Sequence, residues 1–290
     1  MSLSKKKKIL VGLCLTFVPL VQSQEKNMSE VKAPIAKKIP HNLEKHGDVR
    51  VDNYYWLNDK ENPEVISHLE AEKEYYETLT AHTKEYQELL FDEMKSRIKE
   101  DDTSVPYKQN GYWYITRYEI GKEYPIYARR KESLEAPEEI MFDGNEMAKD
   151  HEYFSIGGIA ISPNNKYAAF GVDTVSRRQY TISIKNLETG EVYDDKIENT
   201  TGGSVWADDN KTLFYTKKDA VTLRADQILK HKFGTSADND TLVFQEKDDT
   251  FGTYVYKSKS KKYIIVGSYS TLTSEYQILR SDNPDGELKM

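Results

Sequence analysis

A chain of 290 residues with 38% hydrophobic side chains carries enough apolar material for a packed core, which excludes a disordered tail. Its 48 acidic against 41 basic residues give a formal charge of −7, a field that repels nucleic acid and anionic membrane and favours cationic partners. Cys14 is the only cysteine, so no disulfide framework is available, and 21 tyrosines with 9 phenylalanines and 3 tryptophans tilt the composition towards β-structure.

Lys5 to Lys8 form a basic cluster ahead of an apolar stretch, Ile9 to Val21, that is shorter than the ~20 residues needed to cross a bilayer. With Ser23 as the small residue at the cut, residues 1–23 read as a signal peptide, which predicts a periplasmic or secreted protein. Membrane attachment then requires this segment to stay uncleaved as an anchor. Leu13 stands where a lipobox needs a small residue, so Cys14 is not read as a lipidation site. Cleavage would leave 37 basic against 48 acidic residues, a charge of −11, and no thiol for catalysis or metal binding.

Residues 24–49 carry Pro34 and Pro40 among scattered charges without periodicity, and read as an extended arm. Asn62 followed by Pro63 predicts a helix start, because the side-chain oxygen caps free N–H groups and proline is tolerated at the first helical position. Val65, Ile66, Leu69 and Tyr76, then Tyr86, Leu89, Leu90, Met94 and Ile98, recur near helical spacing. Two amphipathic helices are predicted, broken near His82 and Thr83, with the arm and helices together filling residues 24–105. Lys95, Arg97 and Lys99 suit the negative pole of the second.

After Pro106 alternation replaces the helical period, as in Tyr112 to Tyr118 and Tyr124 to Arg129, and strands are predicted to the end. A polar turn followed by a short apolar strand recurs at Gln109-Asn-Gly-Tyr-Trp, Pro163-Asn-Asn-Lys-Tyr, Asp208-Asp-Asn-Lys-Thr and Ser260-Lys-Lys-Tyr. The turns at Asn110, Asn165, Asn210 and Lys261 are 55, 45 and 51 positions apart, close to the ~40–50 residues of a propeller blade. The expected fold is mainly β: a partial β-propeller of about four blades over residues 106–290, preceded by the arm and two α-helices. A β-sandwich is the alternative, although its turns recur at about 8–12 residues. Four blades without a closing partner would leave a blade face uncovered at each end.

Chemistry-bearing motifs are scarce. The nearest string to a nucleophile elbow, Gly202-Gly203-Ser204-Val205-Trp206, ends in Trp where Gly is required, so Ser204 reads as a turn residue and no catalytic residue is predicted. The histidines His41, His46, His68, His82, His151 and His231 lack metal-binding spacing and read mostly as surface or inter-element residues. Glu100-Asp101-Asp102, Asp208-Asp209 and Asp238-Asn239-Asp240 lack the glycine and terminal glutamate of a calcium loop and read as solvated turns. No metal and no cofactor is expected, since neither a Walker loop nor a dinucleotide fingerprint occurs.

Several strings resemble the oligopeptidase B branch of the prolyl oligopeptidase family, in family order. They are Ile39 to Asp48, Arg50-Val-Asp-Asn-Tyr-Tyr-Trp-Leu57, Asn62-Pro-Glu-Val65, Tyr124-Pro-Ile-Tyr127, Gly157-Gly158, Ser176-Arg-Arg-Gln-Tyr180, Asn186-Leu-Glu-Thr-Gly190, and Val221-Thr-Leu-Arg224 with His231 and Gly234-Thr235. The resemblance implies a seven-bladed propeller over an α/β-hydrolase domain with a Ser-Asp-His triad, cleaving short peptides after Arg or Lys. It implies further that this segment gates substrate access and is inactive alone, its partner being a C-terminal hydrolase domain beyond Met290. Glu152 and Arg178 resemble the family's propeller-side contacts to that domain, the alternative being ordinary surface or intra-propeller ion pairs. Arg50, Asp52, Tyr55 and Trp56 resemble its arm-docking group, the alternative being packing against the propeller base. Prolyl oligopeptidase proper, cleaving after Pro, and a free-standing propeller binding module are the rival readings.

Overall fold

The computed structural model describes residues 31–290; the expected signal peptide, residues 1–23, lies outside the described residues. The chain divides into two compact units, one up to Ile98 and one spanning Lys99–Met290.

In the first unit the arm is not extended throughout. Strands β1 (His41–Lys45) and β2 (Asp48–Asp52) pair antiparallel, with His41 opposite Asp52, around a two-residue turn in which His46 and Gly47 both have positive φ, 57° and 80°. Such turns match the twist of a hairpin. The hairpin escapes a pattern search because Val49 and Val51 are exposed, so no buried face imposes alternation. Helix α1 (Pro63–Thr80) starts as expected: the Asn62 side chain accepts from the Glu64 N–H at 2.9 Å and proline occupies the first turn. A single 3-10 turn, Ala81–Thr83, separates it from α2 (Lys84–Ser96), at the break read from sequence. Val65 is the one buried residue of these helices, whereas Ile66, Leu69, Tyr76, Leu89, Phe91 and Met94 are exposed.

The second unit is a succession of antiparallel meanders. Strands β3 (Tyr107–Gln109), β4 (Tyr112–Arg117), β5 (Ile126–Lys131) and β6 (Glu138–Asp143) form a four-stranded sheet in chain order, followed by the short α3 (Gly144–Met147). Seven strands follow in one sheet: β7 (Ser155–Ile161), β8 (Tyr167–Asp173), β9 (Tyr180–Asn186), β10 (Val192–Trp206), β11 (Thr212–Lys218), β12 (Ala225–Lys232) and β13 (Thr241–Gln245). Strands β14 (Gly252–Lys257), β15 (Tyr263–Tyr269) and β16 (Ser274–Arg280) make a third sheet.

The seven-stranded sheet is two blades joined through β10. The first half of β10 pairs with β9, placing Ile197 opposite Ile182, and the second half pairs with β11, placing Val205 opposite Phe214. The register breaks between Thr200 and Ser204. At the break Thr200 Oγ1 donates to the Tyr180 carbonyl at 2.8 Å and accepts from the Gly202 N–H at 3.0 Å. Blades here are sequential meanders in open succession, the architecture of a partial propeller and not two facing sheets.

All four turns singled out by the repeat adopt the left-handed conformation, with φ of 48°, 61°, 57° and 61° at Asn110, Asn165, Asn210 and Lys261. Asn tolerates this geometry, which accounts for its recurrence. Turns of successive blades also meet: Asn165 Nδ2 donates to the Asn110 carbonyl at 3.0 Å, and Asn210 Oδ1 accepts from the Asn164 N–H at 2.8 Å. Apolar clusters fill the blades, one of them centred on Ile182, Ile184, Ile197, Trp206, Leu213 and Tyr215. Arg129, 2% exposed, fastens the first blade to the second by donating to Glu139 and to the Asn165 carbonyl, each at 2.8 Å, while lying over the Tyr112 ring.

Candidate functional site

Arg178 sits on the connection from β8 to β9, whose backbone is clamped from beneath. Asp173, wholly buried at the end of β8, accepts from the Val175 N–H at 2.8 Å and from the Arg178 N–H at 2.7 Å. Lys218 Nζ, from the end of β11, donates to the Arg178 carbonyl at 2.8 Å. These bonds hold Ser176 and Arg178 at φ of 64° and 55°, a conformation that costs ~1–2 kcal/mol for a residue with a Cβ. Burial, and then the neighbouring Arg178 charge, push the Lys218 amine below its ordinary value. The Arg177 and Arg178 side chains are exposed, and neither makes an ion pair among the described residues. The loop therefore presents cations whose own blade does not neutralise them.

Glu152 is also exposed, on the segment between α3 and β7, and makes no ion pair among the described residues. Its segment is anchored by Phe154, which is buried and meets the Tyr124 ring edge-on at 5.6 Å. Glu152 and Arg178 are not joined to each other.

The arm residues behave differently from one another. Trp56 Nε1 donates to the Lys37 carbonyl at 2.9 Å, and the Tyr55 ring stacks on His41 at 4.0 Å, so both brace the arm within its own unit. Asp52 Oδ1 accepts from the Tyr54 N–H at 2.9 Å, shaping the turn out of β2. Arg50 is exposed on β2. A cavity of about 420 Å³ lies beside Trp56, lined also by Ile35, Pro63 and His68.

Two sequence readings need correction. Ser204 is a strand residue of β10, paired opposite Tyr215, because the chain runs on through the register break instead of turning there. Asp240 is not a solvated turn: it accepts from Tyr215 Oη at 2.9 Å and contacts His231 Nδ1 at 2.7 Å. Asp195, which pattern reading passed over, meets the other face of His231, and only strand register reveals the group.

Sequential antiparallel blades that follow a two-helix segment in the chain define a propeller domain among the described residues. The chain belongs to the prolyl oligopeptidase family: the family's N-terminal β-propeller domain matches residues 34–290. Dipeptidyl aminopeptidase BI of Pseudoxanthomonas mexicana is 39% identical over 269 residues, 87% of this chain and 37% of that protein. Protease 2 of Moraxella lacunata is 37% identical over 267 residues, 90% of this chain and 39% of that protein. Among solved structures, oligopeptidase B from Leishmania major superposes with a TM-score of 0.80 at 30% identity, over 89% of this chain and 39% of that one. Oligopeptidase B from Trypanosoma brucei, with covalently bound antipain, gives 0.78 at 29% identity. The chain thus spans less than two-fifths of these relatives. Among the described residues no helix is long and apolar enough to cross a membrane.

Proposed function

We propose that this chain is the access-controlling propeller portion of a periplasmic or secreted serine oligopeptidase that cleaves short peptides after Arg or Lys. The likeness to two oligopeptidases B, at TM-scores of 0.80 and 0.78, is the observation that carries the reading. The formal charge of −7 over the 290 residues supports it, since an acidic chain concentrates cationic peptides at its surface. Hydrolysis belongs to a separate α/β-hydrolase domain, because the 290 residues hold no G-x-S-x-G elbow.

Arg178 and Glu152 are proposed as contacts to that domain when the two close over substrate, a gating step of the lid type. The clamped loop at Arg178 supports this, since its backbone is already ordered and pairing costs the freedom of the side chain alone. Arg50, Asp52, Tyr55 and Trp56 are proposed to dock the arm, with Arg50 and Tyr55 exposed and Tyr55, Asp52 and Trp56 also setting the arm's shape. Identity of 39% to a dipeptidyl aminopeptidase favours a second reading, release of N-terminal dipeptides.

Chromogenic peptides decide between these. The peptidase that carries this chain is expected to cleave N-blocked substrates after Arg or Lys, whereas a requirement for a free N-terminus two residues from the scissile bond would favour the second reading, and preference for Pro would reject both. Arg178→Gln and Glu152→Gln are expected to lower kcat/KM about 10-fold or more, as loss of a charge-assisted contact of ~1.5–3 kcal/mol implies. Unchanged kinetics in both variants would remove the gating role. Cleavage of an Arg peptide by the purified 290-residue chain, surviving removal of contaminating peptidases, would overturn the assignment of hydrolysis elsewhere.

A further inference from the structure

His231, on β12, is wholly buried, and each of its ring nitrogens meets a carboxylate. Nδ1 lies 2.7 Å from Asp240 Oδ1, and Nε2 lies 3.1 Å from Asp195 Oδ2. The two aspartate side chains are 1% and 8% exposed, and neither pairs with Lys or Arg among the described residues. Asp195 belongs to the first half of β10 and so to the earlier of the two blades that share that strand; His231 and Asp240 belong to the later one.

The other polar groups facing the trio are donors or are already engaged. Tyr215 Oη, from β11, donates to Asp240 Oδ2 at 2.9 Å, and the Gly234 N–H donates to Asp195 Oδ2 at 2.7 Å. Burial, and then the Asp240 charge, push the Tyr215 hydroxyl far above its ordinary value, which keeps it a donor. Tyr193 of β10, packed in the same cluster, accepts at its hydroxyl from Asn186 Nδ2 at 3.2 Å. Leu213 lies opposite His231 across the β11–β12 ladder.

Proton counting follows from this geometry. An ionised carboxylate only accepts, so two hydrogen bonds to the ring need two protons on the trio. With ordinary proton affinities of ~6.5 for imidazole and ~3.9 for the Asp carboxyl, the ring holds the second proton in preference to either acid. Two buried carboxylates without another cation add to that preference. We infer that His231 is an imidazolium clasp: its two ring N–H groups, one given to Asp195 and one to Asp240, tie neighbouring blades together.

His231→Gln removes the ring and with it one of its two donors, so one buried carboxylate is left without its partner. Asp195→Asn does not relieve the ring of its proton, because the oxygen that meets Nε2 also accepts from the Gly234 N–H and must stay an acceptor.

The 290-residue chain itself serves for the test. Unfolding constants of His231→Gln, Asp195→Asn and the double variant, from urea titrations, are expected to show a coupling of about tenfold or more between the two positions. In the ¹⁵N spectrum of histidine-labelled chain at pH 7.5, the slowly exchanging buried ring is expected to carry protons on both nitrogens. Additive effects of the two substitutions, or a buried ring with one bare nitrogen, overturn the inference; should a variant fail to fold, the spectrum of the parent decides alone.

Discussion

Replacing Gly171 by alanine tests how closely β8 passes the register break of β10. A Cβ at Gly171 would lie 2.5 Å from the Gly202 Cα and 2.9 Å from its carbonyl oxygen. Carbon atoms in contact sit ~3.5–4.0 Å apart, so the deficit is about 1 Å against backbone, which cannot rotate aside as a side chain does. Gly202 cannot retreat freely either, for its φ is 84° and the Tyr180 ring stands 2.8 Å from where its own Cβ would be. Forcing the strands apart is expected to cost ~1–3 kcal/mol, the range of overpacked cores. Gly203 is the control: it lies in the same strand, but nothing stands within 4 Å of a Cβ there. Gly203→Ala is expected to stay within ~0.5 kcal/mol of the parent or to stabilise slightly. Urea titration followed by fluorescence of Trp206, 2% exposed in the adjoining core, reads both variants. With a slope of ~1–3 kcal/mol per molar urea, the Gly171 variant should lose about 1 M in midpoint while Gly203→Ala holds. Coincident midpoints would show that the strand crossing is looser than described and would refute the reasoning.

Arg129→Met should destabilise by ~1–3 kcal/mol, since it strands the Asn165 carbonyl between blades while Glu139, 45% exposed, regains water; a thermal midpoint within a degree of the parent would contradict this. Asp173→Ala releases two N–H groups and the strained turn above them, so trypsin should nick the chain at Arg177 or Arg178 at least severalfold faster, with an unchanged digestion rate counting against the clamp. Hydrogen bonds from the turns they close hold three exposed carboxyls below the usual range: Asp219 from the Thr222 N–H and hydroxyl, Asp248 from the Thr250 hydroxyl and N–H, and Asp209, against the raising effect of burial, from the Lys211 and Thr212 N–H groups. A depressed folded value means that the stabilisation is present above about pH 4 and is lost as pH falls through that value, so the double variant Asp219→Asn, Asp248→Asn should show a flatter acid limb in urea midpoints between pH 5 and 3 than the parent.

Local signals account for much of what was legible in the chain. Asn62-Pro63 marked a helix start because capping is a matter of three adjacent residues, and the structure puts the cap there. The turns at Asn110, Asn165, Asn210 and Lys261 were readable because a turn that adopts the left-handed conformation favours Asn and neighbouring polar residues, whatever surrounds it. The hairpin of His41 to Asp52 was hidden for the opposite reason: both its faces are largely exposed, and burial is what writes alternation into a strand.

The residue types, their periods and their turn chemistry determined by themselves that the chain would build two helices and then sheets of successive blades. Tertiary structure decided what those blades share: that one strand, β10, serves two of them, and that Asp195 and His231, 36 positions apart, meet inside. It also decided that Arg178 is held out on a clamped loop while Asp240, in an outwardly similar polar run, is sealed in. The division has a physical cause: propensity and capping act over a few bonds, whereas a buried charge finds its partner only through register between strands that the sequence leaves far apart.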